Sequence, residues 1–449
     1  MQEQLIRRLS APVPRYTSYP TAPHFTEAID ETAYRQWLAA LPRHTALSLY
    51  LHIPFCDRLC WFCGCNTKQV LRYEPVAAYL TALHAELHTL SVALQGRGRV
   101  AQIHLGGGSP SMLLPADMRQ LAGTLRRLLA VADDVEFSIE VDPNDMTPDR
   151  YDAFLAAGIT RVSIGVQDFD PLAQQAINRT QTVEQTRDVV DGVRRNGIRS
   201  VNIDVLYGLP HQTTTSIDRT LEAVLEMSPD RIALFGYAHV PWMRAHQKMI
   251  DEAALPDVVE RYYQSQHATA KLIAAGYEPV GMDHFARPGD PLATAARGGH
   301  LHRNFQGYTT DDAPALIGLG ASAIGTLPQG YAQNVVPTAE YVRRAGAGEL
   351  PVARGVALSP DDRVRRHAIE QLMCNFELRV SDLHNRFGQL SDPIVEDIHM
   401  LYALDGEALV TFDGDRLALT ERGRPFVRAI ASTFDAYLTA RGARHSVAI

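Results

Sequence analysis

Residues 50–66 read Tyr-Leu-His-Ile-Pro-Phe-Cys-Asp-Arg-Leu-Cys-Trp-Phe-Cys-Gly-Cys-Asn, so four of the chain's five cysteines, Cys56, Cys60, Cys63 and Cys65, fall within ten consecutive residues. Packing alone has no use for so dense a run of thiols, and three chemistries compete to explain it. A disulfide knot fails on context: 449 residues can build a core without staples, and no secretory leader is expected ahead of the cysteines. Structural zinc is the stronger rival, since four thiolates close a tetrahedral shell. Its ligands, however, usually come as two pairs across a longer loop, and Cys63 and Cys65 are too close for an ordinary knuckle. The third reading takes Cys56, Cys60 and Cys63, at C-x3-C-x2-C spacing, as thiolate ligands of an iron–sulfur cluster. Three ligands for four irons leave one iron open to a small molecule, as catalytic metal sites keep a position open. The spacing favours this reading, which leaves Cys65 as a packed thiol.

Around this loop the chain alternates. Ala46–His52 is an apolar run ending at the cysteines, and Pro75–Leu94 carries Val76, Leu80, Leu83, Leu87, Leu90 and Leu94 on one helical stripe. Four further pairs follow: run 101–105 and helix 115–130, run 135–141 and helix 148–157, run 161–166 and helix 182–196, run 201–206 and helix 213–227. Run 231–237 leads to helix 256–275. Six strands, each followed by a helix, predict a parallel α/β sheet whose right-handed crossovers curl it toward an open barrel. Ligands then belong at the C-terminal ends of the strands. Polar residues collect there: His52 and the cysteines, Gly106–Ser109, Glu140 and Asp142, Gln167 and Asp168, Asp204, and His239. Each alone has a structural explanation; the collective pattern carries the argument.

Residues 11–25 contain four prolines and three aromatic rings, so they run extended, either as a mobile leader or as a flap across a site. Beyond residue 240 the alternation weakens into polar loops at His284–Pro288 and His302–Tyr308, and the Gly-rich stretch Ile317–Ile324 reads either as backbone packed close to a ligand or as a connector. From Ser359 the texture changes to helices 360–374 and 391–403, a hairpin at 408–419 and a final helix 421–440, a winged-helix-like arrangement. Its 11 Lys+Arg against 14 Asp+Glu argue against duplex binding and for a lid or cap. The division expected is an extended flap at 1–40, a catalytic domain at 41–355 and a cap at 356–449. Net charge −8 without a basic tract gives nucleic acid no footing, and no apolar run approaches a membrane span. Cysteine usage fits a reducing cytoplasm, and nothing demands an interface, so a monomer is expected. Cys374, alone among apolar neighbours, reads as a buried thiol.

The cysteine spacing, with Phe62 immediately before the third cysteine, resembles the signature of the radical S-adenosylmethionine (SAM) enzymes. The resemblance implies an open partial (β/α)6 barrel, a [4Fe-4S] cluster held by Cys56, Cys60 and Cys63, and SAM chelated by the open iron and cleaved by one electron to a 5′-deoxyadenosyl radical. An ordered set of longer segments is similar to the oxygen-independent coproporphyrinogen III oxidases: Tyr16–Pro20, His52–Cys56, Cys63–Asn66, Gly106–Pro110, Glu140–Pro143, Gly165–Asp168, Asn202–Asp204, Tyr207–Pro210, His284–Pro288 and Asn304–Tyr308. Members of that family bind two SAM molecules. Carried over by position, Phe62 backs the loop, while Tyr50, Gly107, Gly108, Ser109 and Glu140 contact the first SAM, with Tyr50 and Glu140 the catalytic candidates. Gln167, Arg179, Asp204, Ala238 and Ile324 match further SAM-contacting positions. Ser109 stands where the family pattern has threonine, which keeps the hydroxyl. The implied reaction converts two propionates of coproporphyrinogen III to vinyl groups, with a small electron-transfer protein as reductant; Arg15, Arg287 and Arg303 are candidates to meet the substrate's carboxylates. A haem-trafficking paralogue that keeps the cysteines without decarboxylating is the rival within the fold.

Overall fold

The computed structural model describes residues 3–438 together with 446 and 447. The expected strands form at β1 Ala46–Ile53, β2 Arg99–Gly107, β3 Val131–Val141, β4 Arg161–Gln167, β5 Ser200–Tyr207 and β6 Arg231–Gly236. They pair in this order, all parallel. The intervening helices start and stop where the sequence punctuates them. Helix Pro148–Ala157 opens on a proline and closes at Gly158, whose φ of 81° only glycine adopts at little cost. Helix Thr214–Glu226 opens on a reciprocal Thr213–Ser216 capping box. The stripe on helix Glu74–Leu94 is buried throughout, and burying each such leucine contributes roughly 1.5–3 kcal/mol.

Two faces of the sheet are distinguished by the alternation itself. On β4, Val162, Ile164 and Val166 are buried while Ser163, Gly165 and Gln167 are not; on β5, Val201, Ile203 and Val205 are buried while Asn202 and Asp204 are not. The apolar set meets the helices and the polar set lines the lumen, so the curled sheet has a polar interior. Register then fixes which lumen groups are neighbours. Tyr50 pairs with His104 and His104 with Ser138, while Glu140 pairs with Ser163 and Ser163 with Asn202.

The structure differs from the sequence reading in five places. Ala315–Leu319 is a seventh parallel strand, hydrogen-bonded to β1 on the side away from β2; the reading of 317–324 as a glycine-rich segment missed it because a hairpin, not a helix, comes directly before it. Antiparallel strands Ile324–Leu327, Gly330–Asn334 and Val352–Ala357 extend that edge, and His284–Ala286 and Glu278–Val280 extend the other. Among the described residues the two outer edges do not pair, so the barrel stays open. The loops read at 284–288 and 302–308 are partly strand, the second being a hairpin of His302–Asn304 with Gly307–Thr309. The final helix is broken into short turns at Arg424–Phe426, Val427–Ala431 and Ser432–Phe434. Pro425 lacks an N–H and can only sit in a first turn, and residues 439 and 440 lie outside the described set.

Residues 11–25 are extended only in part, since Tyr16 takes φ +47° and Ala22–His24 form a 3-10 turn, and they are flanked by helices Glu3–Leu9 and Glu31–Ala39, so the segment 1–40 is not extended throughout. The extended part is a buried strap. Tyr16 and Tyr19 pack in the C-terminal core with Val364, Ile369 and Phe434. Arg428 donates to the Val13 and Pro14 carbonyls, at 2.5 and 3.1 Å, and Tyr16 donates to Asp435 at 3.0 Å. At its middle, Arg15 Nη2 reaches the Gly236 carbonyl, at the C-terminal end of β6, at 2.7 Å.

Candidate functional site at the cysteine loop

The cysteine loop leaves β1 at Pro54 and is closed at its neck by two parallel backbone bonds, Lys68 N–H to the Pro54 carbonyl at 2.7 Å and Val70 N–H to the Cys56 carbonyl at 2.9 Å. Its tip is held from two sides. After β4, the Ile177 carbonyl accepts from Trp61 N–H at 2.9 Å, and Asn178 Nδ2 donates to the Leu59 carbonyl at 2.9 Å. After β6, Arg244 donates to the Gly64 carbonyl at 2.7 Å, His246 Nε2 lies 2.7 Å from the Cys63 carbonyl, and Gln247 bridges the Phe62 and Ala238 carbonyls at 2.9 and 3.1 Å. Phe62 and Trp61 pack on Ile177, Leu206, Leu209 and Tyr237. A loop with seven such anchors is a preorganised ligand frame rather than a free segment.

The thiols are poised for metal. Burial raises the Cys56 thiol, and its Cys63 and Cys60 neighbours raise it further. Burial raises Cys60 as well, although Arg179 Nη1, 3.5 Å from its sulfur, opposes this. Cys63 is lowered by hydrogen bonding with Cys65, whose backbone N–H lies 3.4 Å from the Cys63 sulfur. The three half-buried thiols, two of them biased toward the neutral form, can ionise together only beside a compensating cation, which fits the donor set to a cluster. Among the described residues no three His, Cys, Asp or Glu groups converge as the ligands of one ion do; ligands of a cube each take a separate iron and need not converge.

Beside the loop, Gly108 and Ser109 continue β2 across its neck, with N–H groups on the Ile53 and Phe55 carbonyls at 2.8 and 2.7 Å. A Cβ on Gly108 would meet the Phe55 carbonyl oxygen at 2.5 Å, and Gly107 has φ +114°, so both positions need glycine. Gly107 N–H donates to Glu140 Oε2 at 2.9 Å, and His104 Nε2 approaches Glu140 Oε1 at 3.4 Å while its Nδ1 holds Ser138 at 2.6 Å. Burial raises the Glu140 carboxyl, but His104 and the Gly107 N–H outweigh it and leave the group below the ordinary range. Tyr50 stacks on His104 at 5.8 Å and its hydroxyl meets His52 Nδ1 at 2.9 Å.

Arg179 joins the two halves of the site. It reaches Asp142 Oδ2 at 2.9 Å, the Gly165 carbonyl at 2.5 Å and Cys60, and Gln167 lies beside it over Gly165. Asp142 and Cys60 keep the guanidinium charged despite burial. Asp204 accepts from Asn202 at 2.7 Å and from Ser163 at 3.1 Å. Burial and then the charge on Glu140 push its carboxyl up to about 6. Ile324 lies over Gly318, the register partner of Tyr50.

Several candidates sit otherwise than the sequence suggested. The Ser109 hydroxyl is engaged by Asp145 and Ser111, so it is not free to face a ligand. Asp168 points away from the lumen into a buried bond set with Gln212 and Thr220. Arg287 is at the wrong end: its Nε donates to Pro229 O and its N–H to Asp230 O, just before β6 begins. Arg303 is buried against Tyr308, 4.5 Å from the ring centroid, and its Nη2 reaches the Arg15 carbonyl at 3.5 Å, so these two arginines do come together. The sequence reading missed the 244–247 clamp and His104. Only the donor-rich string Arg-Ala-His-Gln after β6 hinted at the first, and the alternation of β2 marked the second as a lumen residue.

The comparisons agree with this geometry. The pattern of the radical SAM superfamily matches residues 50–224, and that of the HemN C-terminal domain matches residues 358–426. An oxygen-independent coproporphyrinogen III oxidase of Paracoccus denitrificans is 47% identical over 452 residues, covering 100% of both chains. The Escherichia coli oxidase of that name is 41% identical, with 97% of this chain and 95% of that one covered. A solved structure described as coproporphyrinogen III oxidase (HemN) from Escherichia coli, a radical SAM enzyme, superposes with a TM-score of 0.91 at 40% identity, covering 97% of this chain and 99% of that one. With likeness of this order running through the cysteine loop, the barrel and the cap alike, the chain belongs to the oxygen-independent coproporphyrinogen III oxidases of the radical SAM superfamily.

Proposed function

We propose that this protein carries out the oxygen-independent oxidation of coproporphyrinogen III, converting the propionates of rings A and B to vinyl groups and giving protoporphyrinogen IX. The observation that carries the reading is the full-length identity to enzymes of that name, extending through the loop that holds the three thiols. No relative reported above bears the name of the rival haem-trafficking protein. The cofactors are a [4Fe-4S] cluster and SAM, which together supply the one-electron cleavage that yields a hydrogen-abstracting radical. Each vinyl group then results from loss of a hydrogen atom, carbon dioxide and one further electron from a propionate.

The chain's own residues bind, orient and exclude water. Cys56, Cys60 and Cys63 hold the cluster, and Phe62 packs behind them. Gly107 and Gly108 present bare backbone that would receive the methionyl part of SAM, and Glu140, kept ionised by His104, would accept from its amino group. Tyr50, stacked on His104, forms the floor of that site. Gln167, Arg179, Asp204, Ala238 and Ile324 line the remaining space, which we assign to SAM and to a second SAM molecule. Ser109 contributes through its backbone and through Asp145. The buried strap closes the top of the barrel, and Arg15 and Arg303, brought together beneath it, are assigned to the substrate's carboxylates. The segments 1–40, 41–355 and 356–449 act as strap, catalytic body and cap. Among the described residues no helix is long and apolar enough to cross a membrane, and a cytoplasmic monomer fed by a small electron-transfer protein completes the reading.

The test is an anaerobic assay of reconstituted protein with reductant, SAM and coproporphyrinogen III. Vinyl product appearing together with 5′-deoxyadenosine supports the reading. SAM cleavage without porphyrinogen decarboxylation refutes it.

A further inference from the structure

The segment that clamps the cysteine loop after β6 has a second face. Residues 240–250 turn Arg244, His246 and Gln247 onto the carbonyls of Gly64, Cys63 and Phe62. The large apolar side chains between and beside these three are left in water: Trp242 is 46% exposed, Met243 59% and Met249 59%. Isolated exposed apolar residues need no explanation, but here three fall within eight residues, on a segment bonded to the carbonyl of a cluster ligand. None of the three is among the side chains that hold the loop.

Charge sets this region apart from the rest of the molecule. The chain carries −8, yet the cysteine loop and its neck (54–72) together with the clamp and the turn after it (240–252) hold five basic residues, Arg58, Lys68, Arg72, Arg244 and Lys248, against three acids, Asp57, Asp251 and Glu252. Arg58, Lys68, Arg72 and Lys248 are exposed. Apolar side chains with basic residues around them have the composition of a transient interface that captures an acidic partner: charge steers the encounter and a small apolar centre holds it briefly. The cluster must receive its electron from outside; Arg58, Lys68 and Arg72 belong to its loop and neck, Arg244 touches it, and Lys248 follows on the same clamp segment.

We propose that the face formed by Trp242, Met243, Lys248 and Met249, with the basic residues of the cysteine loop, docks a small acidic one-electron carrier protein that reduces the cluster. The inference rests on the functional reading above and adds the place and the charge of the partner. At this face the donor is oxidised by one electron and the cluster reduced by one, and no bond is made or broken.

The test uses the full-length reconstituted enzyme and the double variant Met243→Glu/Lys248→Glu, with reduced flavodoxin as the acidic donor and titanium(III) citrate as a small-molecule donor. Neither residue holds the cysteine loop, and iron content checks that the cluster is intact. The variant is expected to bind flavodoxin at least tenfold more weakly in a direct titration without turnover. Its KM for flavodoxin should rise in parallel, while the titanium-driven rate stays within twofold of the native rate. Native binding should weaken steeply with added salt, and the variant's should do so less. Unchanged flavodoxin affinity overturns the proposal. So does an equal loss with titanium citrate or a raised KM for coproporphyrinogen III, either of which assigns the patch to substrate entry. Because the titration needs no product, failure of the decarboxylation assay alone would sink the functional reading and leave this surface separately measured.

Discussion

Replacing Glu140 by glutamine separates the charge at the centre of the site from its shape. Glu140 accepts the Gly107 N–H through Oε2, and its Oε1 faces His104 Nε2 at 3.4 Å. A glutamine keeps an oxygen for Gly107, and its amide nitrogen can donate to His104 Nε2 if Nδ1 carries the proton and donates to Ser138. The glycine turn therefore survives, and the melting temperature should hardly move. What disappears is the negative charge. A hydrogen bond to a charged group contributes roughly 1.5–3 kcal/mol, and a tenfold change in affinity corresponds to about 1.4 kcal/mol, so SAM should bind about 10- to 150-fold more weakly. The Glu140 carboxyl lies below its ordinary range, because His104 and the Gly107 N–H outweigh burial, so the deficit should be the same from about pH 6 to 8. The assay is titration of the reduced cluster's EPR signal with SAM in native and variant protein of equal iron content. SAM affinity within twofold of native would show that Glu140 does not meet the amino group. A large fall in melting temperature would show that it is chiefly a brace for the turn.

Other substitutions test neighbouring parts of the argument. Asp204 titrates at about 6 rather than 3.8, because burial and then Glu140 disfavour its charge. The stability associated with this raised value is present below about pH 3.8 and lost as pH rises through about 6, a difference of roughly 3 kcal/mol at most. Asp204→Asn should therefore melt higher than native above pH 6 and equally at pH 4, as thermal denaturation across pH will show. Gly108→Ala places a Cβ 2.5 Å from the Phe55 carbonyl oxygen in the neck of the cysteine loop, whereas Gly123, in helix Pro115–Leu128, has open space. The first should fail to retain iron after reconstitution; the second should retain it and gain about 0.5–1 kcal/mol. Arg179→Met leaves Asp142 and the Gly165 carbonyl without their buried partner, and breaking such a pair costs about 3–5 kcal/mol. Denaturant titration should show that loss, and an unchanged midpoint would remove Arg179 from the frame of the site.

The part of this molecule that was legible in the sequence is the part governed by local rules. Six strands and the helices after them were visible because apolar periodicity and caps such as Thr213 and Gly158 act within a few residues. The thiol loop was visible because ligand spacing is itself a short-range constraint. The seventh parallel strand, Ala315–Leu319, was hidden because its partner β1 lies more than 260 residues earlier and a hairpin rather than a helix leads into it. The clamp from Arg244, His246 and Gln247 spans about 180 residues and works on main-chain carbonyls, which have no sequence signature. Asp168 and Asp204 both sit near the ends of their strands, yet one faces helices and the other the lumen. A left-handed Gln167, φ 69°, stands between Asp168 and the alternation. The Arg287 assignment failed for a similar reason: composition recorded a cation, and only topology could say at which end of β6 it lies.

The strap bears on the order in which the polypeptide matures. Residues 13–16 are held by Arg428 and Asp435, contacts more than 400 positions apart, among the longest loop closures this molecule makes. In synthesis the last strand of the sheet, ending at Ala357, precedes the first of those anchors, Arg428, by 71 residues. Until then the early segment has nothing to grip, and closing so long a loop carries an entropic penalty that grows only logarithmically with its length. Assembly therefore passes through a stage in which the thiols already stand in a formed scaffold while the covering segment hangs loose, an interval during which iron and sulfide can be delivered from solvent.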